Sequence, residues 1–208
     1  MEQAVKNNLP VSYHMARCKE FDEVSTLEKA MCVFWSKGFA ATSMQDLVDA
    51  MGINRQSIYD TYGDKHSLFI ASLKHAQKKM VPIENAVLTS SKDGAKEIIN
   101  IYFEKVIEEI IQDKENRGCI MANSMLELVP EDEMVRKIAR SNYDYLENCF
   151  RDIIEKGIER KEIDSKKNAD VLATHLVNTM HGLRLTGKVR KDKKQLQGIV
   201  DMALSVLS

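Results

Sequence analysis

Apolar residues recur along this chain at helical spacing, and no stretch alternates as a half-buried strand does. In "FDEVSTLEKAMCVFWSKGF", Leu27, Ala30, Met31, Val33, Phe34 and Trp35 fit the stripe of an amphipathic helix, and Gly38 is a natural stop. In "ATSMQDLVDAMGI", Ser43 is placed to cap a second helix, with Asp46 three residues on as a weaker capping box. Leu47, Val48 and Met51 form its buried side, and Gly52 ends it after barely two turns. A third helix starts at Asn54, a favoured N-cap, and "RQSIYDTY" carries it to Gly63 and Asp64. A fourth begins at Lys65 or His66 and runs through Leu68, Phe69, Leu73 and Ala76 to about Val81, where Pro82 is expected to limit it.

The remainder is also helical. "DGAKEIINIYFEKVIEEIIQDK" puts Ile98, Ile101, Tyr102, Val106 and Ile110 on one face and Ile99, Phe103 and Ile107 on a second, the pattern of a central helix. A short helix follows Gly118 and stops near Pro130. A long one begins among acids, which suits the helix dipole. Two more, "NADVLATHLVNTMHGLRLTG" and "DKKQLQGIVDMALSVLS", close the chain. The expectation is an all-α fold of about nine helices.

Composition changes this picture little. The chain is 44% hydrophobic and 29% charged, with a net charge of -1, so bulk charge points to no nucleic-acid partner. The four cysteines, at 18, 32, 119 and 149, form no C-x-x-C pair, and the five histidines do not repeat as metal ligands. Reduced thiols, a cytoplasmic location, no cofactor, no metal site and no membrane partner are expected. No nucleophile or carboxylate pair has a recognisable catalytic neighbourhood, so no enzyme activity is expected. Residues 1–14 read as an extension or tag outside the fold.

The chemistry lies in "GINRQSIYDTYGDKHSLF". Two short helices joined by a glycine-containing turn make a helix-turn-helix, whose second helix enters the DNA major groove by its N-terminal end. Arg55, Gln56 and Ser57 stand there behind Asn54, and Arg and Gln each make bidentate contacts to base edges. Ile58 faces back toward Leu47 and Phe34. Tyr59 and Tyr62 offer hydroxyls to phosphates. Lys65, and Thr42 with Ser43, stand at helix starts where free N–H groups favour a phosphate.

The string "GFAATSMQDLVDAMGINRQSIYDTYGDKHSLF" resembles the N-terminal domain of the tetracycline-repressor (TetR-like) family of bacterial regulators. The matching positions are Gly38-Phe39, Thr42-Ser43, Gly52-Ile53, Ser57-Ile58-Tyr59, Tyr62 and Lys65. The likeness is close from Phe21 to about Lys79 and looser beyond. The chain departs from the family at Gln56, where a small residue is common, at Thr61, where a histidine is, and at His66, where an acid is. From Met15 to His66 six Lys/Arg stand against eight Asp/Glu, contrary to a basic footprint.

The resemblance implies a homodimer on a palindromic operator, with a DNA-binding domain at 15–66 and a ligand-binding and dimerisation domain at 67–208. A small-molecule effector, mostly apolar, would lower DNA affinity. Candidate pocket walls are Tyr102, Phe103, Met121, Met125, Tyr143, Leu146 and Phe150, with Asn123 and His175 as polar groups and Glu127 facing a cation; each alone reads first as ordinary core, Glu127 equally as a solvated acid, and together they suggest a mostly apolar cavity. Candidate dimer residues are Leu172, Leu176, Thr179, Leu183, Leu196, Ile199, Val200, Ala203 and Leu204, with Gly182 and Gly187 allowing close approach; the same stripes also serve to close a protomer core. Two rivals stand beside the ligand-responsive repressor: a redox regulator switched through Cys119, beside Arg117 at a helix break, and a helical enzyme using the C-terminal cavity.

Overall fold

The computed structural model describes residues 21–88 and 93–207, with side chains of 81–88 left aside; the expected extension at 1–14 and Cys18 lie outside these residues. Among the described residues there are nine helices and no strand: α1 Glu23–Lys37, α2 Met44–Met51, α3 Arg55–Tyr62, α4 Lys65–Leu88, α5 Ala95–Gln112, α6 Ile120–Leu128, α7 Glu133–Glu159, α8 Ala169–Gly187 and α9 Lys193–Ser205.

The helix ends follow local chemistry. Asp22, Ser43, Asn54, Asp132, Asn168 and Asp192 each accept backbone N–H bonds as N-caps. Ser43 and Asp46 complete a reciprocal capping box. Gly52 ends α2 in the left-handed region at φ 71°. One boundary differs from the sequence reading. α4 continues past Pro82 to Leu88, because an interior proline removes one helical hydrogen bond and its cost is outweighed where the flanking turns hold.

Two apolar clusters organise the packing. The first joins Phe34, Leu47, Met51 and Ile58 to Leu68, Phe69 and Leu73 of α4, and takes in Ile120, Met121, Val135 and Ile138 from α6 and α7. The second is built around α5, with Tyr102, Phe103 and Phe150 in mutual ring contact and Leu176, Leu183, Leu196 and Val200 closing it. The expected division after residue 66 therefore falls at the start of α4, a helix that packs against α1, α5, α6 and α7. Ile101, read as part of the inner face of α5, is exposed, since Ile98, Tyr102 and Val106 already fill the stripe. Val171 is likewise exposed on α8.

A candidate DNA-binding face and two inner cavities

The N-terminal end of α3 stands outward. Asn54 Oδ1 accepts the Ser57 N–H at 2.8 Å, fixing the first turn. Ile58, fully buried, anchors the opposite side beneath α2 and α4. Arg55, Gln56 and Tyr59 are left exposed. Among the described residues Arg55 meets no hydrogen-bond or ion-pair partner. Gln56 donates to Asp60 Oδ1 at 2.7 Å, which places an acid on the same face. Ser43 is exposed at the start of α2, where Asp46 is lowered to about pKa 2 by hydrogen bonds from Lys37 and from the Ser43 N–H and hydroxyl.

Three residues expected to meet phosphates are tied up internally. Thr42 is 1% exposed and its hydroxyl donates to the Gly38 carbonyl, so that hydroxyl does not face a ligand. Lys65 Nζ donates to the Thr42 carbonyl at 2.6 Å and lies 4.5 Å from the Phe39 ring centre. The Tyr62 hydroxyl donates to the Glu23 carbonyl at 3.4 Å. These contacts hold the α1–α2 turn, the start of α4 and the end of α3 in one rigid unit.

That unit is fastened to α6 and its flanks. Glu127, expected to greet a cation, instead accepts the backbone N–H groups of Phe39 at 2.9 Å and Ala40 at 2.6 Å. The indole N–H of Trp35 donates to the Gly118 carbonyl at 2.9 Å, and the Arg117 guanidinium stacks 4.2 Å from the indole centre. Lys79 pairs with Glu28 across α4 and α1.

The expected pocket walls separate. Tyr102, Phe103, Leu146 and Phe150 pack on one another as core, and Met121 and Met125 belong to the other cluster. Asn123 donates to the Arg117 carbonyl and accepts from Lys188. Tyr143 stacks on His181, whose burial, with Arg184 nearby, lowers its pKa to about 4. His175 is exposed, in a groove between α8 and α9 with Thr179, Ile199 and Met202. Of the proposed dimer residues, Leu172, Leu176, Leu183, Leu196, Val200 and Ala203 are buried within the protomer and Leu204 packs against the same core, while Thr179 and Ile199 reach the surface. Gly187 serves the protomer too: a Cβ there would strike Ile110.

Two cavities of about 250 and 240 Å³ lie beneath Trp35, sharing Trp35, Glu109, Gly118 and Arg184 as walls. The second also meets Met31, Met80 and Cys119. The sequence reading places Trp35 only in the stripe of α1 and singles out neither Glu109 nor Arg184. A signal was present for Arg184: it continues the buried stripe Ala173, Val177, Met180 at helical spacing, a charge where an apolar residue belongs.

Among the described residues no helix is long and apolar enough to cross a membrane, and no group of three His, Cys, Asp or Glu side chains is arranged to hold a metal ion.

Comparison with known proteins agrees with this geometry. Residues 27–72 match the family model for bacterial regulatory proteins of the tetR family, and residues 97–203 match the tetracyclin repressor-like C-terminal domain. The HTH-type transcriptional regulator YezE of Bacillus subtilis (strain 168) is 31% identical over 195 residues, covering 93% of this chain and 100% of that protein. The HTH-type transcriptional repressor ComR of Escherichia coli (strain K12) is 25% identical over 188 residues, covering 90% of each. The solved TetR-family regulator CifR, a cysteine mutant in complex with 26-base-pair operator DNA, aligns with a TM-score of 0.82 and 27% identity, covering 92% of this chain and 100% of that one. With both halves of the chain matched and a relative aligned over its full length, the protein belongs to the TetR family of helix-turn-helix transcriptional regulators.

Proposed function

We propose that the chain is a ligand-responsive repressor that binds a palindromic operator as a homodimer and is released by a small molecule. The observation that carries the reading is the outward first turn of α3: Arg55 and Gln56 exposed, Ser57 capped by Asn54, and Ile58 locked beneath them. In a recognition helix this is the end that meets base edges. Arg55 and Gln56 then read bases, and Ser43, Ser57 and Tyr59 meet backbone phosphates. Thr42, Tyr62 and Lys65 act by holding that surface rigid. Two-fold pairing through the exposed face of α8 and α9 sets the two recognition helices about one DNA turn apart, or a multiple of it.

Release follows from the attachment of α6 to the α1–α2 turn through Glu127 and of the α5–α6 segment to Trp35. A molecule that favours a different setting of α6 disfavours the DNA-bound setting by the same coupling free energy, typically about 1–3 kcal/mol. The protein acts on DNA and effector without turnover, in the cytoplasm.

The test is operator selection from genomic fragments followed by gel shifts with Arg55→Ala, Gln56→Ala and Tyr59→Ala. Arg55→Ala and Gln56→Ala relax base preference at particular positions, by about 1–3 kcal/mol each. Tyr59→Ala weakens binding to all sequences alike. Unchanged binding for all three overturns the assignment.

A further inference from the structure

Arg184 is 9% exposed, and among the described residues its Nε–H has no hydrogen-bond partner. Among the described residues its one ion pair runs from Nη2 to Glu109 Oε2 at 2.7 Å, and that carboxylate is 44% exposed at the rim. A guanidinium withdrawn from water with a donor unspent is costly unless something accepts from it. The residue lines both cavities beneath Trp35. The two cavities differ in chemistry. One borders Arg117, Lys188 and Asp113. Asp113 is spent on the Arg117 guanidinium and the Gly118 N–H, while the Lys188 ammonium has the neutral amide oxygen of Asn123 at 3.2 Å. Arg117 pairs further with Glu115, so Lys188 is the cation of that side with no carboxylate partner among the described residues. The other cavity is walled by Met31, Ala76, Met80 and Ile120.

From this we infer that the space beneath Trp35 is the effector site and takes a small organic acid, its carboxylate accepting from Arg184 Nε on the Lys188 side and its apolar body lying against Met31, Met80 and Ile120. The inference rests on the ligand-responsive reading above and specifies its effector class. An apolar molecule alone leaves the Arg184 donor unspent, and an inorganic anion leaves the methionine-lined half unfilled. A carboxylate with a short hydrocarbon or aryl body satisfies both. The walls Met31 and Trp35 belong to α1 and Ala76 and Met80 to α4, so such a ligand touches the DNA-binding unit directly.

Trp35 is the only tryptophan in the chain, so its emission reports on this site alone. Purified full-length protein is titrated with hexanoate and 3-phenylpropionate and, in parallel, with their primary amides. The expected result is a saturable change in emission with the carboxylates and at least tenfold weaker binding of the amides. Arg184→Lys keeps a cation for Glu109 but loses the Nε donor, and it weakens the carboxylates at least tenfold with no effect on the amides; Arg184→Gln does the same. No response to either acid at millimolar concentration, equal affinity for acids and amides, or unaltered acid binding in both variants overturns the inference. The acid–amide comparison needs no variant and stands whether or not the substitutions fold. Gel shifts on the same samples separate the two readings. Acid binding with no change in operator affinity leaves the site in place and removes the ligand-responsive reading; operator binding relieved by a molecule that does not compete with the acids removes this site and leaves that reading.

Discussion

His66 Nε2 lies 2.5 Å from Asp132 Oδ2, joining the second residue of α4 to the N-cap of α7. The same carboxylate accepts the N–H groups of Met134 and Val135. Burial pulls its pKa up, but the hydrogen bond with His66 and those from the helix start outweigh burial and hold it below the usual carboxylate range. A carboxyl group with a depressed folded-state pKa stabilises the fold fully above its unfolded-state value, and that stabilisation disappears as the pH falls through the folded-state value. Asp132→Ala is expected to cost about 1–2 kcal/mol near neutral pH, the size of a lost N-cap. The gap between wild type and variant closes as the pH falls below the carboxylate range. Urea denaturation at a series of acid pH values measures it, and a gap that persists in strong acid contradicts the assignment.

Glu127 predicts a different signature. Its two oxygens take the N–H groups of Phe39 and Ala40, and the exposed setting keeps the contribution to about 1 kcal/mol. Glu127→Ala should unlatch the α1–α2 turn more than it lowers global stability. The measurement is amide exchange: Phe39 and Ala40 lose protection, while Asp46, bonded to Ser43 Oγ, keeps it. Gly38→Ala should act on the same turn and cost more, because φ is +80° and a Cβ would come 2.9 Å from Glu127 Oε2.

Local signals carried the sequence reading a long way and then stopped where partners are distant in the chain. The caps at Ser43 and Asn54 and the glycine stops at 38 and 52 depend on neighbours within four residues, and each stands where its residue type placed it, with Arg55 and Gln56 exposed behind Asn54. The all-helical architecture was legible for the same reason, and the family through the resemblance carried by residues 38–69. Glu127 and Asp132 were not, because their partners lie 88 and 66 positions away and nothing in their own surroundings names them. Stripes proved ambiguous in another way. Leu172, Leu176, Leu196 and Val200 form an apolar face that serves a protomer core and a partner equally well as a pattern, and here the core takes them. The inner cavities depend on how α1, α4, α5, α6 and α8 are set against one another, and spacing along one helix does not encode that.

The glycines of α8 separate packing from propensity. A Cβ at Gly187 would strike Ile110, and both residues are buried between α5 and α8. Gly187→Ala is expected to destabilise by about 1–3 kcal/mol through overpacking. A Cβ at Gly182 meets nothing within 4 Å, and the residue is helical and exposed. Gly182→Ala should therefore stabilise by about 0.5–1 kcal/mol, the helix-propensity difference. Thermal melts of the two variants beside wild type give opposite signs. A destabilising Gly182→Ala would mean that a second chain closes on that side of α8.

The outer face of α8 and α9 supplies the last test. Val171, Ile199, Met202 and Val206 are exposed there, Met202 to 72%, and His175 and Thr179 border the groove between the helices. A contiguous apolar strip of this kind marks an association surface. In an isologous pair each residue of the strip is present twice near the axis, so one charge introduces two. Met202→Glu is expected to raise the dimer dissociation constant at least a hundredfold in sedimentation equilibrium without lowering the helix content. Val189→Glu, at a residue 85% exposed beyond the end of α8, should leave that constant where it was. Operator binding should fall with the dimer, because a single recognition helix reaches one half-site only. Full-strength dimers in Met202→Glu would move the two-fold axis off this face and leave the strip needing another partner.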